Sequence, residues 1–286
     1  MSENIPKRIF YVWGADEFKP ARVNLCILSW HQTMPDYEII EINENSTEYF
    51  NFREELKNNK YFKTVYERKM FAFAADYIRL KILYNNGGIY FDTDVYALQS
   101  FDKFLAEPAF IGIQGNTSEI GREWVEPAIL GAGKGNPFIK QILDFYDREI
   151  MDTPLFILPD IFAEFLSESY NLKSYPDKDG QGIIRLKDIT IYPEKYFIPY
   201  RLNQTFSVGC IENDTHAMHL FAGSWDDNNV VWFQKHKHKA ALPVLDFIVL
   251  FRKTIQNIFS LRNTMKNNTK IKILTILGKE FKISKK

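Results

Sequence analysis

The stretch Tyr77-Ile78-Arg79-Leu80-Lys81-Ile82-Leu83-Tyr84-Asn85-Asn86-Gly87-Gly88-Ile89-Tyr90-Phe91-Asp92-Thr93-Asp94 reads as a helix, a stop, a short strand and a pair of acids. Apolar residues recur at Phe71, Ala74, Ala75, Ile78 and Ile82, and again at Phe73, Tyr77, Leu80 and Tyr84. Most of the helix surface is therefore apolar, and the helix is expected to be buried. Gly87-Gly88 ends it, with a positive backbone angle expected at one of the two and a close approach of backbone to ligand allowed there. Ile89-Tyr90-Phe91 is an apolar strand, and Asp92 and Asp94 emerge one residue apart at its carboxyl end. Carboxylates placed in this way suit a hard divalent cation that keeps coordination positions open for a diphosphate.

Spacing alone does not carry this reading. Asp177-Lys178-Asp179 has the same spacing but lies in Tyr175-Pro176-Asp177-Lys178-Asp179-Gly180, a polar turn with no strand before it. The first pair also has charged neighbours on its helix. Asp76 and Arg79 are three residues apart and share one face of an otherwise apolar segment. Buried charge must be paired or liganded. The two residues therefore read either as a structural ion pair or as groups facing a polar ligand beside the acidic pair.

Around this core the pattern alternates. Strands are expected at Arg8 to Trp13, Glu38 to Ile42, Ile89 to Phe91, Val95 to Leu98 and Ala109 to Ile113. Helices are expected at Ala21 to His31, Tyr66 to Tyr84, Pro137 to Ile150 and Ile157 to Leu166. Alternation of this kind predicts an α/β fold with a mainly parallel, Rossmann-like sheet flanked by helices. Ligands bind beyond the carboxyl ends of such strands, where both Trp13-Gly14 and Asp92-Thr93-Asp94 fall.

The block from Phe73-Ala74-Ala75-Asp76-Tyr77-Ile78-Arg79 to Gly87-Gly88-Ile89-Tyr90-Phe91-Asp92-Thr93-Asp94 resembles the core of glycosyltransferase family 32 and, more distantly, the catalytic core of the clostridial glucosylating toxins. Further stretches match in the family's order. Ile5 to Gly14 resembles the opening strand, and Ser29-Trp30 with Pro35 to Ile39 the next helix and strand. Ile191-Tyr192-Pro193 and Tyr196 to Pro199 resemble a later segment, and Met218-His219-Leu220-Phe221-Ala222-Gly223-Ser224-Trp225 the closing motif. The family usually shows two adjacent histidines there. Leu220 replaces the second, so only His219 carries over. The resemblance spans residues 5 to 230.

It implies a GT-A-type catalytic domain over residues 1–234, acting as a metal-dependent hexosyltransferase with retention in surface polysaccharide synthesis. It also implies a nucleotide-sugar donor, with UDP the expected nucleotide, and a saccharide or lipid-linked acceptor. Asp76, Arg79, Asp92 and Asp94 are the expected catalytic residues. Asp92, Asp94 and His219 are the expected ligands of Mn2+ or Mg2+; imidazole with carboxylates favours manganese over calcium. Val12, Trp13, Gly14, Asp76, Arg79, Gly88, Tyr90, Asp92, Thr93, Ser224 and Trp225 are expected to contact the donor. Trp13 offers a flat face to a base, and Arg79 a fork for phosphate or hydroxyls. No general base is assigned. Two other classes use the same residues: a metal-dependent nucleotidyltransferase or nucleotide-sugar hydrolase, and a non-catalytic, membrane-associated binding module on the same fold.

The net charge is zero across 286 residues with 45% hydrophobic content, but the charge is unevenly spread. Residues 235–286 hold 13 Lys and Arg against Asp246 and Glu280, so that segment carries about +11 and the rest about −11. Apolar clusters interleave with the basic residues. The expectation is an amphipathic helical segment on an anionic membrane surface, at the inner face of the cytoplasmic membrane; the alternative is helices packed on the catalytic domain. No nucleic-acid motif accompanies the charge, so nucleic acid is not an expected partner. Cys26 and Cys210 give no disulfide framework, and Cys26 reads as a core residue. The polar start does not read as a signal peptide, and no run of about 18 apolar residues reads as a transmembrane helix.

Overall fold

The computed structural model describes residues 4–117, 123–153, 155, 157–172, 182–201, 204 and 206–222, together with the backbone of 259–266, 269–276 and 279–283. The chain forms two compact units, Met1–Lys239 and Ala240–Lys286.

The first unit is built on a seven-stranded sheet in the order β2-β1-β3-β6-β5-β8-β7. The strands are β1 (Arg8–Val12), β2 (Glu38–Ile42), β3 (Gly88–Phe91), β5 (Ala109–Thr117), β6 (Glu123–Ala132), β7 (Ile184–Arg185) and β8 (Thr190–Tyr192). β1 pairs in parallel with β2 and β3, and β5 with β8; β6 and β7 run against their neighbours. Five of the seven strands therefore point one way, as the alternation predicts. A short two-stranded ladder, β4 (Val95–Ala97) with β9 (Ala217–His219), stands apart from this sheet.

The helices are α1 (Ala21–Thr33), α2 (Phe52–Asn58), α3 (Lys60–Glu67), α4 (Phe71–Asn86), α5 (Pro137–Arg148), α6 (Leu158–Tyr170) and α7 (Glu194–Phe197). Alternate strand residues face two cores. Tyr90 and Ile111 join the apolar layer under α3 to α6. Phe91 and Phe110 face the other side, where Phe91 meets Trp30 and Phe101, and Phe110 meets Phe101, Phe104 and Phe197. Cys26 is fully buried, as expected.

Helix α4 is the central helix expected from the sequence. Its residues Ala74, Ala75, Tyr77, Ile78, Arg79, Leu80, Ile82 and Leu83 are buried. The expected single helix from Tyr66 to Tyr84 is in fact two. The break falls at Arg68-Lys69-Met70, with Lys69 at φ 58°, and Tyr66 belongs to α3. A left-handed residue stops the i to i−4 ladder, and a lysine there carries no glycine signal to reveal it. The stop after α4 matches expectation more fully. Gly87 (φ 66°) donates its N–H to Leu83 O, and Gly88 (φ 136°) is also positive. A Cβ at Gly88 would lie 2.8 Å from Arg8 Cγ and Phe10 Cε2.

The second unit is described only over a three-stranded antiparallel sheet of β10 (Phe259–Lys266), β11 (Thr269–Ile276) and β12 (Lys279–Ile283). This corrects the helical expectation for that part of the tail. In Lys270-Ile271-Lys272-Ile273 polar and apolar residues alternate at period two, and both apolar positions are β-branched, which is strand patterning. Residues 235–258, where the helical expectation also fell, lie outside the described residues. No described helix is long and apolar enough to cross a membrane.

Gly88→Ala is expected to destabilise the first unit by about 1–3 kcal/mol, the cost of a strained backbone conformation. Urea unfolding checks this, and an unchanged midpoint would contradict the packing of β3 on β1.

Candidate metal and donor site

Asp92 and Asp94 leave the sheet together in the turn between β3 and β4. The Asp92 N–H donates to Ala128 O at 2.9 Å, and Val95 N–H to Asp92 O at 3.0 Å. β4 is held from behind by α1: Trp30 Nε1 donates to Val95 O at 2.8 Å and Ser29 Oγ accepts from Ala97 N–H at 2.9 Å. On its other edge Val95 lies opposite His219 in the β4–β9 ladder. That register delivers His219 from 125 residues away to the acidic pair. Ligand atoms of Asp92, Asp94 and His219 all lie within 4.8 Å of one another.

Asp94 is buried and engaged through both its backbone and its carboxylate. Its Oδ2 accepts from Ala222 N–H at 2.6 Å, its carbonyl accepts from Leu220 N–H at 2.9 Å, and its Oδ1 lies 3.3 Å from His219 Nε2. Burial alone would push its pKa up, but the His219 charge, their hydrogen bond and the Ala222 N–H outweigh it and hold the carboxyl below the usual carboxylate range. Burial likewise disfavours charged His219, yet Asp94 and then Glu126 outweigh it, so the imidazole titrates well above its ordinary value. Asp92 is raised, chiefly by burial and against the pull of Arg79.

Arg79 joins α4 to this turn. Its Nη2 lies 2.9 Å from Asp76 Oδ1 and 3.2 Å from Asp92 Oδ1, and its Nη1 donates to Pro127 O at 2.8 Å. Its guanidinium carbon sits 4.5 Å from the Tyr90 ring centroid. Asp76 and Arg79 are thus an ion pair, as one of the two sequence readings held, and the pair extends to the first acid of the motif. Burial raises Asp76 to about 7 despite Arg79.

Val12, Trp13 and Gly14 lie at the carboxyl end of β1. Phe10 pairs with Tyr90, so extending the register by two pairs brings Val12 level with Asp92. Trp13 is half-buried, and its Nε1 donates to Glu17 O at 3.0 Å, shaping the loop that follows. Thr93 is half-buried in the acidic turn. Gly88 does not join this group. It starts β3, roughly 13 Å of strand away from Asp92, and its lack of a side chain serves the approach of β1. Ser224 and Trp225, and the comparison pair Asp177 and Asp179, lie outside the described residues.

Two site residues escaped the sequence reading. Glu126 reaches the centre from β6, with Oε2 3.6 Å from His219 Nδ1. Arg22, at the start of α1, helps lower Asp94, and its Nε is buried without a hydrogen-bond partner among the described residues. An arginine opening a helix just after β1 was a signal available in the sequence. Glu126 had none, because its strand contains Pro127 and does not read as one.

The donor set fits a divalent cation. Two carboxylates and one imidazole converge within 4.8 Å, and oxygen with nitrogen ligands suits Mn2+ or Mg2+.

Residues 20–111 match the family model described as "Glycosyltransferase sugar-binding region containing DXD motif". Asp92-Thr93-Asp94 lies within that matched stretch and has the Asp-x-Asp spacing that the description names. Inositol phosphoceramide mannosyltransferase 3 of Schizosaccharomyces pombe is 31% identical over 265 residues, covering 87% of this chain and 64% of the relative. The chain thus spans just under two thirds of that protein's length. Among solved structures, PaToxG glycosyltransferase aligns with a TM-score of 0.47 at 22% identity, over 60% of this chain and 72% of that one. The glycosyltransferase GlyE of Streptococcus pneumoniae aligns with a TM-score of 0.43 at 9% identity, over 88% and 64%.

Arg79→Lys is expected to cost about 1–3 kcal/mol of stability, since an ammonium cannot hold Asp76, Asp92 and the Pro127 carbonyl together. Chemical denaturation measures it, and a variant as stable as the parent would show that the guanidinium fork is dispensable.

Proposed function

We propose that the protein is a metal-dependent glycosyltransferase of family 32 that moves a hexose from a nucleotide sugar to a saccharide or lipid-linked acceptor. The observation that carries this reading is the convergence of His219 on Asp92 and Asp94, two acids that lie inside the segment matching a DXD sugar-binding region. We infer that these three residues hold Mn2+ or Mg2+. When bound, the cation supplies positive charge against the diphosphate leaving group.

The chain's own residues do the rest. Ala222 N–H and Leu220 N–H fix Asp94, and Arg79 fixes Asp92 and Asp76 relative to each other. Asp76 uses Oδ1 for Arg79, leaving its other oxygen to accept from a sugar hydroxyl. Arg22 is placed to add positive charge near the diphosphate. Trp13 and the loop it shapes, with Val12 and Gly14, form the base side of the site, and we take the nucleotide to be UDP. Retention of anomeric configuration belongs to the same reading. A lipid-borne acceptor is supported by the name of the fungal relative, an inositol phosphoceramide mannosyltransferase. The basic tail fits this acceptor, and we place the enzyme at the inner face of the cytoplasmic membrane, in surface polysaccharide assembly.

A donor screen with UDP- and GDP-sugars, reading nucleotide release with and without Mn2+, tests the activity. Asp94→Asn is expected to raise the barrier to metal-stimulated release by about 2–4 kcal/mol, roughly a 30- to 900-fold drop in rate, while Asp177→Asn leaves it nearly unchanged. Equal effects at the two sites would contradict the assignment.

The tail gives a separate expectation. Residues 240–286 should sediment with anionic vesicles and release as salt rises. A chain ending at Lys239 should keep its thermal midpoint and lose the vesicles. A collapsed midpoint, or vesicle binding that survives truncation, would refute the membrane role.

A further inference from the structure

We propose that Glu126 is the positioning residue of the metal centre, holding His219 through Nδ1 so that Nε2 faces the cation beside Asp92 and Asp94. This rests on the reading that those three residues bind a divalent ion.

The geometry starts in β6. Gly112 of β5 pairs with Glu126, whereas its neighbour Ile111 pairs with Leu130, so the ladder breaks between Glu126 and Leu130. Pro127, which has no N–H to offer a ladder, sits in the break and gives its carbonyl to Arg79. The break allows Glu126 to depart from the regular alternation and approach the centre. Glu126 Oε1 accepts from Ala128 N–H at 3.0 Å, which anchors the carboxylate. Its Oε2 then lies 3.6 Å from His219 Nδ1, with both side chains nearly buried.

The imidazole is therefore held between two carboxylates, with Nε2 toward Asp94 at 3.3 Å and Nδ1 toward Glu126. Nδ1 is buried and makes no hydrogen bond; Glu126, just beyond hydrogen-bond length, is the acceptor facing it. A ligating nitrogen must present its lone pair, so the ring's proton must sit on the other nitrogen. A carboxylate at that nitrogen fixes the tautomer and the ring orientation and strengthens the ligand. Glu126 is not itself in the converging ligand set, so a positioning role fits better than direct ligation.

Calorimetric titration of Mn2+ into the full-length, donor-free protein tests this, with circular dichroism confirming the fold of each variant. Glu126→Leu should bind Mn2+ about 10–100-fold more weakly than the parent. Glu126→Gln, which keeps an acceptor oxygen, should fall between them, and Asp94→Asn should show no binding. If Glu126→Leu does not fold, weakened binding by Glu126→Gln alone supports the role, and unchanged binding overturns it. Parent-like affinity in both Glu126 variants, with binding lost in Asp94→Asn, overturns the role of Glu126 and leaves the metal centre standing. Complete loss in both Glu126 variants makes Glu126 a ligand and also overturns it. A parent that binds no Mn2+ removes the metal reading and this proposal together.

Discussion

Four carboxylates, those of Asp76, Asp92, Asp94 and Glu126, are gathered beside the end of one strand, and among the described residues the cationic side chains in ion-pair contact with them are Arg79 and His219. Removing charge from water is costly unless partners replace the lost solvation. Arg79 meets part of that demand with bonds to Asp76, Asp92 and a backbone carbonyl, and His219 meets part with Asp94 and Glu126. Acids still outnumber the cations that face them. A site built this way favours an added cation.

The fold serves this arrangement. Parallel pairing of β1 and β3 brings two loops from distant parts of the sequence to the same edge. Trp30 and Ser29 of α1 occupy hydrogen-bonding groups on β4 that would otherwise be open, which keeps the turn after Asp92 tight. The β4–β9 ladder then sets His219 opposite Val95. Each device is local and modest, but the site needs all of them, because carboxylates displaced by about an ångström would lose the shared geometry that a cation requires.

Much of this was legible in the chain. The helix α4, its Gly-Gly stop and the acidic pair are local features, and each is governed by periodicity or backbone preference. The cost of lone charge on an apolar helix narrows Asp76 and Arg79 to two readings, and the ion pair is one of them. What sequence did not reveal is long-range or irregular. The break at Lys69 depends on a left-handed lysine. Strand β6 hides its nature behind Pro127 and Gly131, so Glu126 went unnoticed. Gly87 and Gly88 carry the same local signal in the sequence, and only the register of β3 separates the end near Arg8 from the end bearing Asp92. In the tail, apolar clusters alone do not separate helix from strand; their period does, and the described part forms strands.

The most direct measurement is anomalous diffraction from crystals soaked in Mn2+ without donor. A single strong manganese peak bonded to Asp94 and His219, with Asp92 directly or through water, is the result the metal-centre assignment requires. Ordered manganese elsewhere, with none between these three side chains at saturating concentration, would contradict it.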